Sequence, residues 1–488
     1  GSRLVIPKYE GAKKAGTKHE SIKCSLVLTE GDSAKALATQ GFSVTGRKYF
    51  GVFPLKGKLL NTRKEKNPNK IIKNAEIQNL MQIVGLQPGV KADRNKLRYG
   101  RIIIFTDQDV DGSHIKGLVL SFLHLQWPET LTWKDFVTVF HTPIIVAKWG
   151  RGQKKMFFTK PEFDQWKENE GRTLRFTSKY YKGLATSNKT EAKEYFSNLE
   201  RHLIAFNHET NPEEVSSAIN IAFSDDNQYK TQRKELVRQK SEMLVDRVTT
   251  IPDFVTRELK LFWDDANHRS IPHAIDGLKE SQRKVLFSLR KKNCRSENAE
   301  LRVAQLAAYT SEHTSYEHGE ASLNDAITKM GQTYMGSNNV NLLYPSGMFG
   351  TRLGEKDYGS PRYIHTYLAK LSDYIFPPAN DCALNFLQDE NNKSIEPEFY
   401  VPVIPFALVN GIKGMGVGVS VDICPYNPMD ILNKTRECIE KHGMEPFDLV
   451  PWFRGFKGRI FLKKEKSYEV NGVLEKLSNT KLRITELI

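Results

Sequence analysis

The sequence predicts a multidomain protein in which an α/β sheet domain is followed by α+β segments. Its 488 residues exceed what one hydrophobic core of ordinary size accommodates. Short apolar runs alternate with helical patterns over the first two hundred residues, and helical patterns followed by glycine-punctuated short runs begin near residue 251. These three observations indicate roughly two to four domains of mixed class.

The first part of the chain carries the pattern of an α/β sheet. The apolar runs "CSLVL", "RIIIF" and "FVTVF" have the length and composition of buried strands. Between them lie stretches of helical pattern, "SAKALATQGF", "IIKNAEIQNLMQIVG" and "HIKGLVLSFLHLQW". Strands that alternate with helices in this way are typical of an α/β sheet domain.

The remaining segments differ from this pattern. Residues 207–250 are polar and charged, which fits solvated helices or a connection. From residue 251 the pattern turns helical, and one face of "DGLKESQRKVLFSL" collects Leu278, Val285, Leu286 and Leu289. A second domain is expected to end near residue 396, within a proline-rich passage, and a third begins there without being completed.

The composition limits the class of partner. Lysine and arginine number 72 against 57 acidic residues, a formal net charge of +15 that favours a polyanion such as nucleic acid or an anionic membrane, although many soluble proteins are also basic. No apolar run reaches the length of about 18 residues that a transmembrane helix needs, and no signal peptide is visible, so a soluble protein without a membrane partner is expected. The five cysteines include no C-x-x-C pair, which predicts neither a zinc site nor a disulfide framework and favours a reducing compartment.

An acidic cluster follows the second apolar run, in "RIIIFTDQDVDGSH", where Asp107, Asp109 and Asp111 alternate with other residues. The spacing matches the first half of an EF-hand calcium loop, whose twelfth position is a glutamate between flanking helices. Here the twelfth position is Leu118, and the preceding run has the pattern of a strand. Both mismatches argue against a calcium loop.

The alternative is a metal site at the end of a strand, where sites lie in open α/β sheets. On extended backbone, residues at i, i+2 and i+4 share a face, so the three aspartates are expected to converge on one cation. Gly112 would allow the turn into a helix that begins at Ser113. An oxygen-only cluster favours Mg²⁺, which retains several waters and leaves positions for phosphate oxygens. A purely structural role, as loop or helix-cap residues, stays open at this point.

A second motif, "CSLVLTEGDSAKALA", repeats the arrangement of strand, acidic residue and helix. The apolar run ends at Glu30, a glycine follows, and Asp32 or Ser33 is a candidate helix cap. Two such units with acidic residues at the same end of one sheet predict a divalent-metal site.

These two motifs together resemble the Toprim domain. "LTEGDSA", "FPLKGKLLN", "NAEIQ", "LRYG", "TDQDVDGSHIKGL" and "YYKGLATS" are similar to the eukaryotic type II (type IIA) DNA topoisomerases, and the resemblance extends over nearly the whole chain. It implies a Toprim domain at 1–206, a charged helical connection at 207–250, a winged-helix domain at 251–395 and the incomplete start of a tower domain at 396–488.

The resemblance also implies a chemistry. "SPRYIHTYL" is similar to the Arg-Tyr signature of the family, which makes Tyr363 the nucleophile and Arg362 the residue that stabilises charge on the phosphoryl group. A phenol, whose ordinary pKa is about 10, suits reversible phosphoryl transfer. Mg²⁺ is expected on Glu30, Asp107 and Asp109, with Asp111 assisting or holding a second ion; Mn²⁺ or Ca²⁺ are possible substitutes. Transient cleavage of both strands through a 5′-phosphotyrosyl link would then permit strand passage.

Contacts with double-stranded DNA are implied at basic and amide residues, each of which is also readable as ordinary surface charge. "NGIKGMGVG" lacks the setting of a dinucleotide loop and resembles the family segment that wedges an apolar side chain between base pairs. The candidate DNA-binding residues are Lys58, Asn61, Arg233, Lys234, Arg269, Lys279, Tyr316, His318 and Met415.

Further expectations concern the complete protein. The family acts as a homodimer, and ATP drives it through a domain that precedes this segment; no G-x-x-x-x-G-K-[ST] loop occurs here. A nuclear location is expected, with a mitochondrial or viral protein as the alternative. A Toprim nuclease or primase without a tyrosine nucleophile, and a noncatalytic DNA-binding scaffold, are the rival functions. The chain departs from the family pattern at Ala185, Glu317, Ser346 and His365, none of them a proposed ligand or nucleophile.

Overall fold

The computed structural model describes residues 4–181, 183–241, 247–389, 392–443, 448–464 and 467–487. The chain divides into two compact units, which are Gly1–Asp265, called unit 1, and Ala266–Ile488, called unit 2.

Unit 1 contains eight strands within its described residues. They are β1 Ser25–Glu30, β2 Phe50–Leu55, β3 Arg101–Phe105, β4 Val137–Phe140, β5 Ile145–Trp149, β6 Gln153–Phe157, β7 Phe176–Tyr180 and β8 Leu203–Ala205. The helices of this part are α1 Gly31–Thr45, α2 Pro68–Lys73, α3 Ala75–Val84, α4 Val110–Gln126, α5 Lys160–Glu168, α6 Lys189–Ser197, α7 Leu199–His202, α8 Pro212–Phe223, α9 Asn227–Arg238 and α10 Ile251–Asp253. A π-helical turn, Phe254–Glu258, follows α10 and leads into α11, Leu259–Ser270.

The main sheet of unit 1 has the strand order β2-β1-β3-β4-β8. The first four strands are parallel, and only β8 runs antiparallel, to β4. The register pairs Glu30 with Leu55 and Thr29 with Phe105, so β1, β2 and β3 end at the same edge. The predicted strands "CSLVL", "RIIIF" and "FVTVF" are confirmed as β1, β3 and β4.

Helix α1 packs against α6 to cover this sheet. Gly41 of α1 lies so close to the ring of Phe196 that a Cβ atom would come within 2.1 Å of it, which explains a glycine in the middle of a helix. Phe105 and Phe140 meet edge to face beneath, with ring centroids 4.8 Å apart. A smaller three-stranded sheet, β6-β5-β7, packs its own apolar side chains against α5.

Two sequence expectations for unit 1 need correction. The predicted helix over "IIKNAEIQNLMQIVG" is two helices, because the Asn74 side chain accepts a hydrogen bond from Ile77 N at 3.1 Å and caps α3. The polar segment 207–250 is not only a solvated connection, because α8 buries Val215, Ala218, Ile219, Ala222 and Phe223. These five positions follow helical spacing, which the surrounding charges obscured.

Unit 2 has its own hydrophobic core, formed between helices and short strands. Its helices are α12 Glu280–Lys291, α13 Val303–Thr314, α14 Glu320–Gly331, α15 Lys370–Ile375, α16 Phe406–Val409 and α17 Pro428–Glu440. Its strands are β9 Leu301–Arg302, β10 Leu343–Ser346, β11 His365–Leu368, β12 Phe386–Gln388, β13 Ser394–Pro397, β14 Ile412–Met415, β15 Ser420–Ile423, β16 Arg459–Lys464, β17 Ser467–Asn471, β18 Val473–Lys476 and β19 Leu482–Glu486. Strands β10, β11 and β9 form a three-stranded sheet, and the later strands pair as two-stranded hairpins.

The predicted apolar face of α12 lies in the core of unit 2. Val285, Leu286 and Leu289 are fully buried there. Leu278 is buried as well but precedes the helix, which begins at Glu280. The predicted boundary between residues 395 and 396 falls inside β13, which pairs with β12. Across the described ranges of both units, no helix is long and apolar enough to cross a membrane.

Candidate active site

Glu30 ends β1 and occupies the N-cap position of α1, yet its carboxylate makes no capping hydrogen bond. Gly31 then takes a positive φ of 71°, a conformation that suits glycine at this tight change of direction. The predicted caps, Asp32 and Ser33, are wrong, because both lie inside the first turn of α1 and are exposed. The arrangement leaves the Glu30 carboxylate at the edge of the sheet, beside the end of β3.

The three aspartates do not all lie on extended backbone, which corrects the expectation of a shared i, i+2, i+4 face. Asp109 is the N-cap of α4 and Asp111 lies in its first turn. Gly112 is inside the helix rather than in a turn before Ser113. A Cβ atom there would lie 2.1 Å from the backbone oxygen of Asp107, so the glycine permits a close approach of the loop to the helix.

Each aspartate carboxylate contacts a donor within the protein. Asp107 Oδ1 accepts a hydrogen bond from Leu184 N at 2.7 Å, and Asp109 Oδ1 accepts one from Gly112 N at 2.7 Å. Asp111 Oδ1 lies 2.7 Å from Lys58 Nζ. Asp107 N donates to Glu30 Oε2 at 3.4 Å, which connects the two acidic motifs directly.

The cluster is electrostatically unfavourable without a cation. Burial raises the pKa of Glu30 to about 7, and the negative charges of Asp109, Asp107 and Asp111 act in the same direction. The hydrogen bond from Asp107 N opposes the shift only in part. A proton therefore remains on Glu30 up to near-neutral pH.

The residues suit a divalent cation chemically, although they are not gathered as its ligands. Within the ranges that the structure describes, no three Asp, Glu, His or Cys side chains are arranged to hold one metal ion. The donor set is nevertheless oxygen-only, the kind that Mg²⁺ and Ca²⁺ take. A cation would also offset the repulsion that raises the pKa of Glu30.

Two further residues contribute to this site and were not identified from the sequence. The backbone N–H of Leu184 binds Asp107, and Gly183 lies so close that a Cβ atom would come within 2.9 Å of Asp107 Oδ2. Both belong to "YYKGLATS", a segment that the sequence marks only through the family resemblance. Apart from that resemblance, no local feature of the sequence identifies them.

The candidate DNA-binding residues of unit 1 fall into two groups. Lys58 and Lys234 are exposed, and the Lys58 ammonium lies 4.9 Å from the centroid of the Phe262 ring. Asn61 instead supports local structure, since its side chain donates to Phe223 O at 3.2 Å and accepts from Arg63 N at 3.1 Å.

Arg233 differs most from its expected role as a DNA contact. It is 6% exposed, its Nε donates to Ile221 O at 2.7 Å, and its Nη2 donates to Ser224 O. These are carbonyls at the C-terminal end of α8, where the helix leaves acceptors without an intrahelical partner. The structure thus gives Arg233 the role of a buried helix-end cap.

Arg362 and Tyr363 lie in unit 2, just before β11, and both side chains are exposed; the tyrosine is 77% exposed. The backbone around them is well held. Tyr363 N donates to Ser360 O at 2.8 Å, Ala304 N donates to Pro361 O at 2.9 Å, and Ile364 is buried. A fixed backbone thus carries a phenol and a guanidinium that are both exposed to solvent.

Three other candidates come together in unit 2. Arg269 Nη1 lies 3.3 Å from His318 Nδ1, and the His318 ring meets Tyr316 edge to face at 5.3 Å.

Lys279, before α12, is half-buried, and both this burial and the nearby Lys329 charge lower the pKa of its ammonium.

Met415 is at the tip of the β14–β15 hairpin and is 78% exposed. The Asn267 side chain holds the hairpin tip through both backbone polar groups of Val417, accepting from Val417 N at 2.6 Å and donating to Val417 O at 3.2 Å. An apolar side chain thus projects into solvent from a fixed backbone.

Three protein families match consecutive segments of the chain. The Toprim domain matches residues 25–139, the C-terminal associated domain of TOPRIM matches residues 140–267, and the A subunit of DNA gyrase/topoisomerase IV matches residues 269–487. The first segment contains Glu30 and the three aspartates, and the last contains Tyr363. The division between the last two segments lies close to the boundary between the two compact units.

Similarity to individual proteins extends over the whole chain. It is 45% identical to DNA topoisomerase 2 of Saccharomyces cerevisiae over 100% of this chain and 34% of that protein, and 44% identical to human DNA topoisomerase 2-beta over 99% of this chain and 30% of the relative. The crystal structure of the Plasmodium falciparum topoisomerase II DNA-binding, cleavage and re-ligation domain matches with a TM-score of 0.82 and 42% identity, covering 100% of this chain and 66% of that chain. The chain spans about a third of the length of the curated relatives it matches. The Toprim fold, the acidic edge of its sheet and the similarity over the whole of this chain together show that the chain belongs to the eukaryotic type II DNA topoisomerase family.

Proposed function

We propose that this chain is the DNA-cleavage core of a type II topoisomerase, which transiently cuts and rejoins both strands of duplex DNA so that another duplex can pass. The observation that carries the proposal is the exposed Arg362–Tyr363 pair, held on fixed backbone in a member of this family. The activity for which the Plasmodium falciparum domain is named, DNA binding, cleavage and re-ligation, supports the same assignment.

Tyr363 is the proposed nucleophile. Its phenolic oxygen attacks a backbone phosphorus in line while its proton passes to solvent. The P–O3′ bond breaks, and the departing O3′ takes up a proton from solvent to become a 3′-hydroxyl. The 5′ phosphate then remains joined to the tyrosine as a diester. Because one phosphodiester bond replaces another, the bond energy is retained and the 3′-hydroxyl can reverse the step. Arg362 lies next in the chain, where its guanidinium can neutralise charge that develops on the non-bridging oxygens.

Glu30, Asp107 and Asp109 are the residues that would hold Mg²⁺, with Asp111 assisting or holding a second ion; Mn²⁺ or Ca²⁺ fit the same oxygen donors. A bound cation supplies Lewis-acid stabilisation to phosphodiester oxygens. The charge state of Glu30 depends on that cation, because its pKa of about 7 keeps it partly protonated otherwise.

The DNA path is proposed to follow the exposed and half-buried basic residues. Lys58, Lys234 and Lys279 would bind phosphates without reading sequence, and the group formed by Arg269, Tyr316 and His318 would lie near the cleaved bond. Helices α12–α14 with the β10-β11-β9 sheet fit the small helical domain with a β-wing that the family resemblance implies at 251–395. Residues 396–488 would then begin the tower, where Met415 wedges between base pairs.

The complete protein is proposed to act as a homodimer, with ATP used by a domain outside this chain and with the nucleus as its location. These assignments rest on family membership. Localisation of a tagged full-length protein tests the last of them, and mitochondrial or viral origin is the alternative outcome.

Trapping of a covalent protein–DNA adduct tests the proposal. Supercoiled DNA is incubated with the chain and Mg²⁺ or Mn²⁺, and the reaction is stopped with detergent. An adduct is expected with the wild type and not with Tyr363→Phe. Tyr374→Phe is the matched control, because Tyr374 is 74% exposed against 77% for Tyr363.

Three results would contradict the proposal. An adduct that persists in Tyr363→Phe would place the nucleophile elsewhere. Metal-dependent cleavage that never yields an adduct would indicate a Toprim nuclease. A noncatalytic scaffold would be indicated by three results together: DNA binding that does not depend on Mg²⁺, no cleavage by the wild type, and DNA binding that is unchanged in the double variant Asp107→Asn plus Asp109→Asn.

A further inference from the structure

Glu258 is a largely buried carboxylate outside the acidic cluster, at the end of the π-helical turn Phe254–Glu258. Its side chain is 14% exposed and accepts hydrogen bonds from Lys116 Nζ at 2.5 Å and from Ser113 Oγ at 2.7 Å. Both donors lie on α4, the helix that begins next to Asp109. Single π-helical turns are frequent at functional sites.

The two donors tie Glu258 to the N-terminal turns of α4. Ser113 N donates to Asp109 O at 3.1 Å, and Gly112 N donates to the Asp109 carboxylate at 2.7 Å. The Ser113 hydroxyl also lies 3.2 Å from Asp109 O, so one residue contacts both Glu258 and the backbone of Asp109. A shift of Ser113 would therefore carry Asp109 with it.

The charges make this contact hard to replace. Lys116 is 4% exposed, and Glu258 is its ion-pair partner at 2.5 Å. Burial acts to raise the pKa of Glu258, but the Lys116 charge and the hydrogen bonds from Lys116 and Ser113 outweigh it and keep that pKa below its ordinary value. An ionised carboxylate so placed is the counter-charge for a buried ammonium, and its loss leaves that ammonium uncompensated.

We propose that Glu258 is a positioning residue for the divalent-metal ligands: through Ser113 and Lys116 it holds the first turns of α4, and with them the backbone that carries Asp109 and Asp111. It does not bind the cation itself. Outer residues that orient metal ligands typically lower metal affinity by about 10- to 100-fold when they are mutated. The inference rests on the metal site in the proposed function.

Binding of Mn²⁺ to the DNA-free chain, followed by electron paramagnetic resonance, tests this role without any turnover. Glu258→Gln keeps the shape of the side chain and removes its charge. We expect it to weaken Mn²⁺ binding about tenfold, and Ser113→Ala to weaken it by a smaller factor. Glu396→Gln is the matched control, because Glu396 is 1% exposed, ion-paired with Lys284 at 2.7 Å and located in unit 2.

The expected pattern is a loss of affinity confined to Glu258→Gln and Ser113→Ala, while both glutamate variants lower the thermal midpoint by similar amounts. Unchanged Mn²⁺ affinity in a folded Glu258→Gln variant would overturn the role, as would an equal loss in Glu396→Gln. Amide hydrogen exchange over residues 107–116 gives a second measurement, and faster exchange in Glu258→Gln than in the wild type is expected there.

The hydrogen-exchange measurement also separates this inference from the proposed function. If the Asp107→Asn variant binds Mn²⁺ as tightly as the wild type does, the metal assignment in the proposed function fails. Amide hydrogen exchange over residues 107–116 then remains as the test of whether Glu258 stabilises the start of α4. Unchanged exchange in Glu258→Gln would overturn that role.

Discussion

Lys58 and Asp111 form an ion pair, with Lys58 Nζ 2.7 Å from Asp111 Oδ1, between the segment after β2 and the first turn of α4. A protein cation thus lies against a carboxylate that we propose as a metal ligand. The same lysine is a proposed phosphate contact. DNA that draws Lys58 away would leave Asp111 more available to a divalent cation, so DNA and metal binding are expected to favour each other.

Lys58→Ala is expected to raise the Mn²⁺ affinity of the DNA-free chain by up to about fivefold, because partly exposed ion pairs are worth at most about 1 kcal/mol. The same variant should weaken DNA binding. Calorimetric Mn²⁺ titration and a DNA-binding titration measure the two effects. Lys73→Ala, at an exposed lysine on α2, is the control for loss of one positive charge; lower Mn²⁺ affinity in Lys58→Ala would show that the ion pair assists the metal.

Glu30 is expected to make the metal-free protein less stable as the pH rises. Its pKa is about 7 in the folded protein against an ordinary value of 4.5, so between these values the folded protein keeps a proton that the unfolded chain has released. Raising the pH through that window therefore favours unfolding. Glu30→Gln should raise the free energy of unfolding on the order of 1–2 kcal/mol at pH 8 and have little effect at pH 5.

Urea unfolding in the presence of a chelator measures this difference. Glu10→Gln provides a control of opposite sign, because hydrogen bonding to Lys35 and the nearby Arg47 charge lower the pKa of Glu10 despite burial. Its carboxylate stabilises the fold above pH 4.5, and that stability is lost as the pH falls through the lowered pKa. Equal effects of Glu30→Gln at pH 5 and pH 8 would rule out a raised pKa for Glu30.

Arg233 and Lys234 are neighbours for which we expect opposite consequences. Arg233→Ala should lower the free energy of unfolding by about 2–4 kcal/mol, because it leaves the carbonyls of Ile221 and Ser224 buried without a donor. Lys234→Ala should change the free energy of unfolding by no more than about 0.5 kcal/mol. It should also reduce the slope of the logarithm of DNA affinity against the logarithm of salt concentration by the amount expected for about one phosphate contact. Thermal unfolding and DNA titrations at several salt concentrations separate the two, and a stable Arg233→Ala variant with weak DNA binding would restore the DNA-contact role.

Local pattern was sufficient to predict the sheet and its acidic edge. "CSLVL" and "RIIIF" are runs that suit buried strands, and the acidic residues that follow parallel strands necessarily share one edge. The predicted geometry of the aspartates was wrong, because the capping preference of Asp109 begins the helix at Val110, earlier than the glycine suggested.

Roles set by tertiary contacts could not be predicted in the same way. Leu184 reaches Asp107 across 77 residues of chain, and nothing local marks its backbone N–H as a donor. Arg233 stands in a polar stretch, and only the position of the α8 carbonyls shows that it is buried. Glu258 likewise resembles a surface glutamate until its partners on α4 are known.

For Met415, a DNA-bending role and a structural role predict clearly different results when the side chain is truncated. The side chain is 78% exposed, and the hairpin beneath it is fixed by Asn267, so truncation should not disturb the fold. Met415→Ala is expected to change the free energy of unfolding by less than about 0.5 kcal/mol and to reduce the bend of a bound duplex, since unstacking a base step needs an inserted apolar side chain. Energy transfer between dyes at the two ends of a short duplex measures the bend. Met429→Ala, at another exposed methionine in unit 2, should leave the bend unchanged; equal bending by the wild type and Met415→Ala would assign the distortion to other residues.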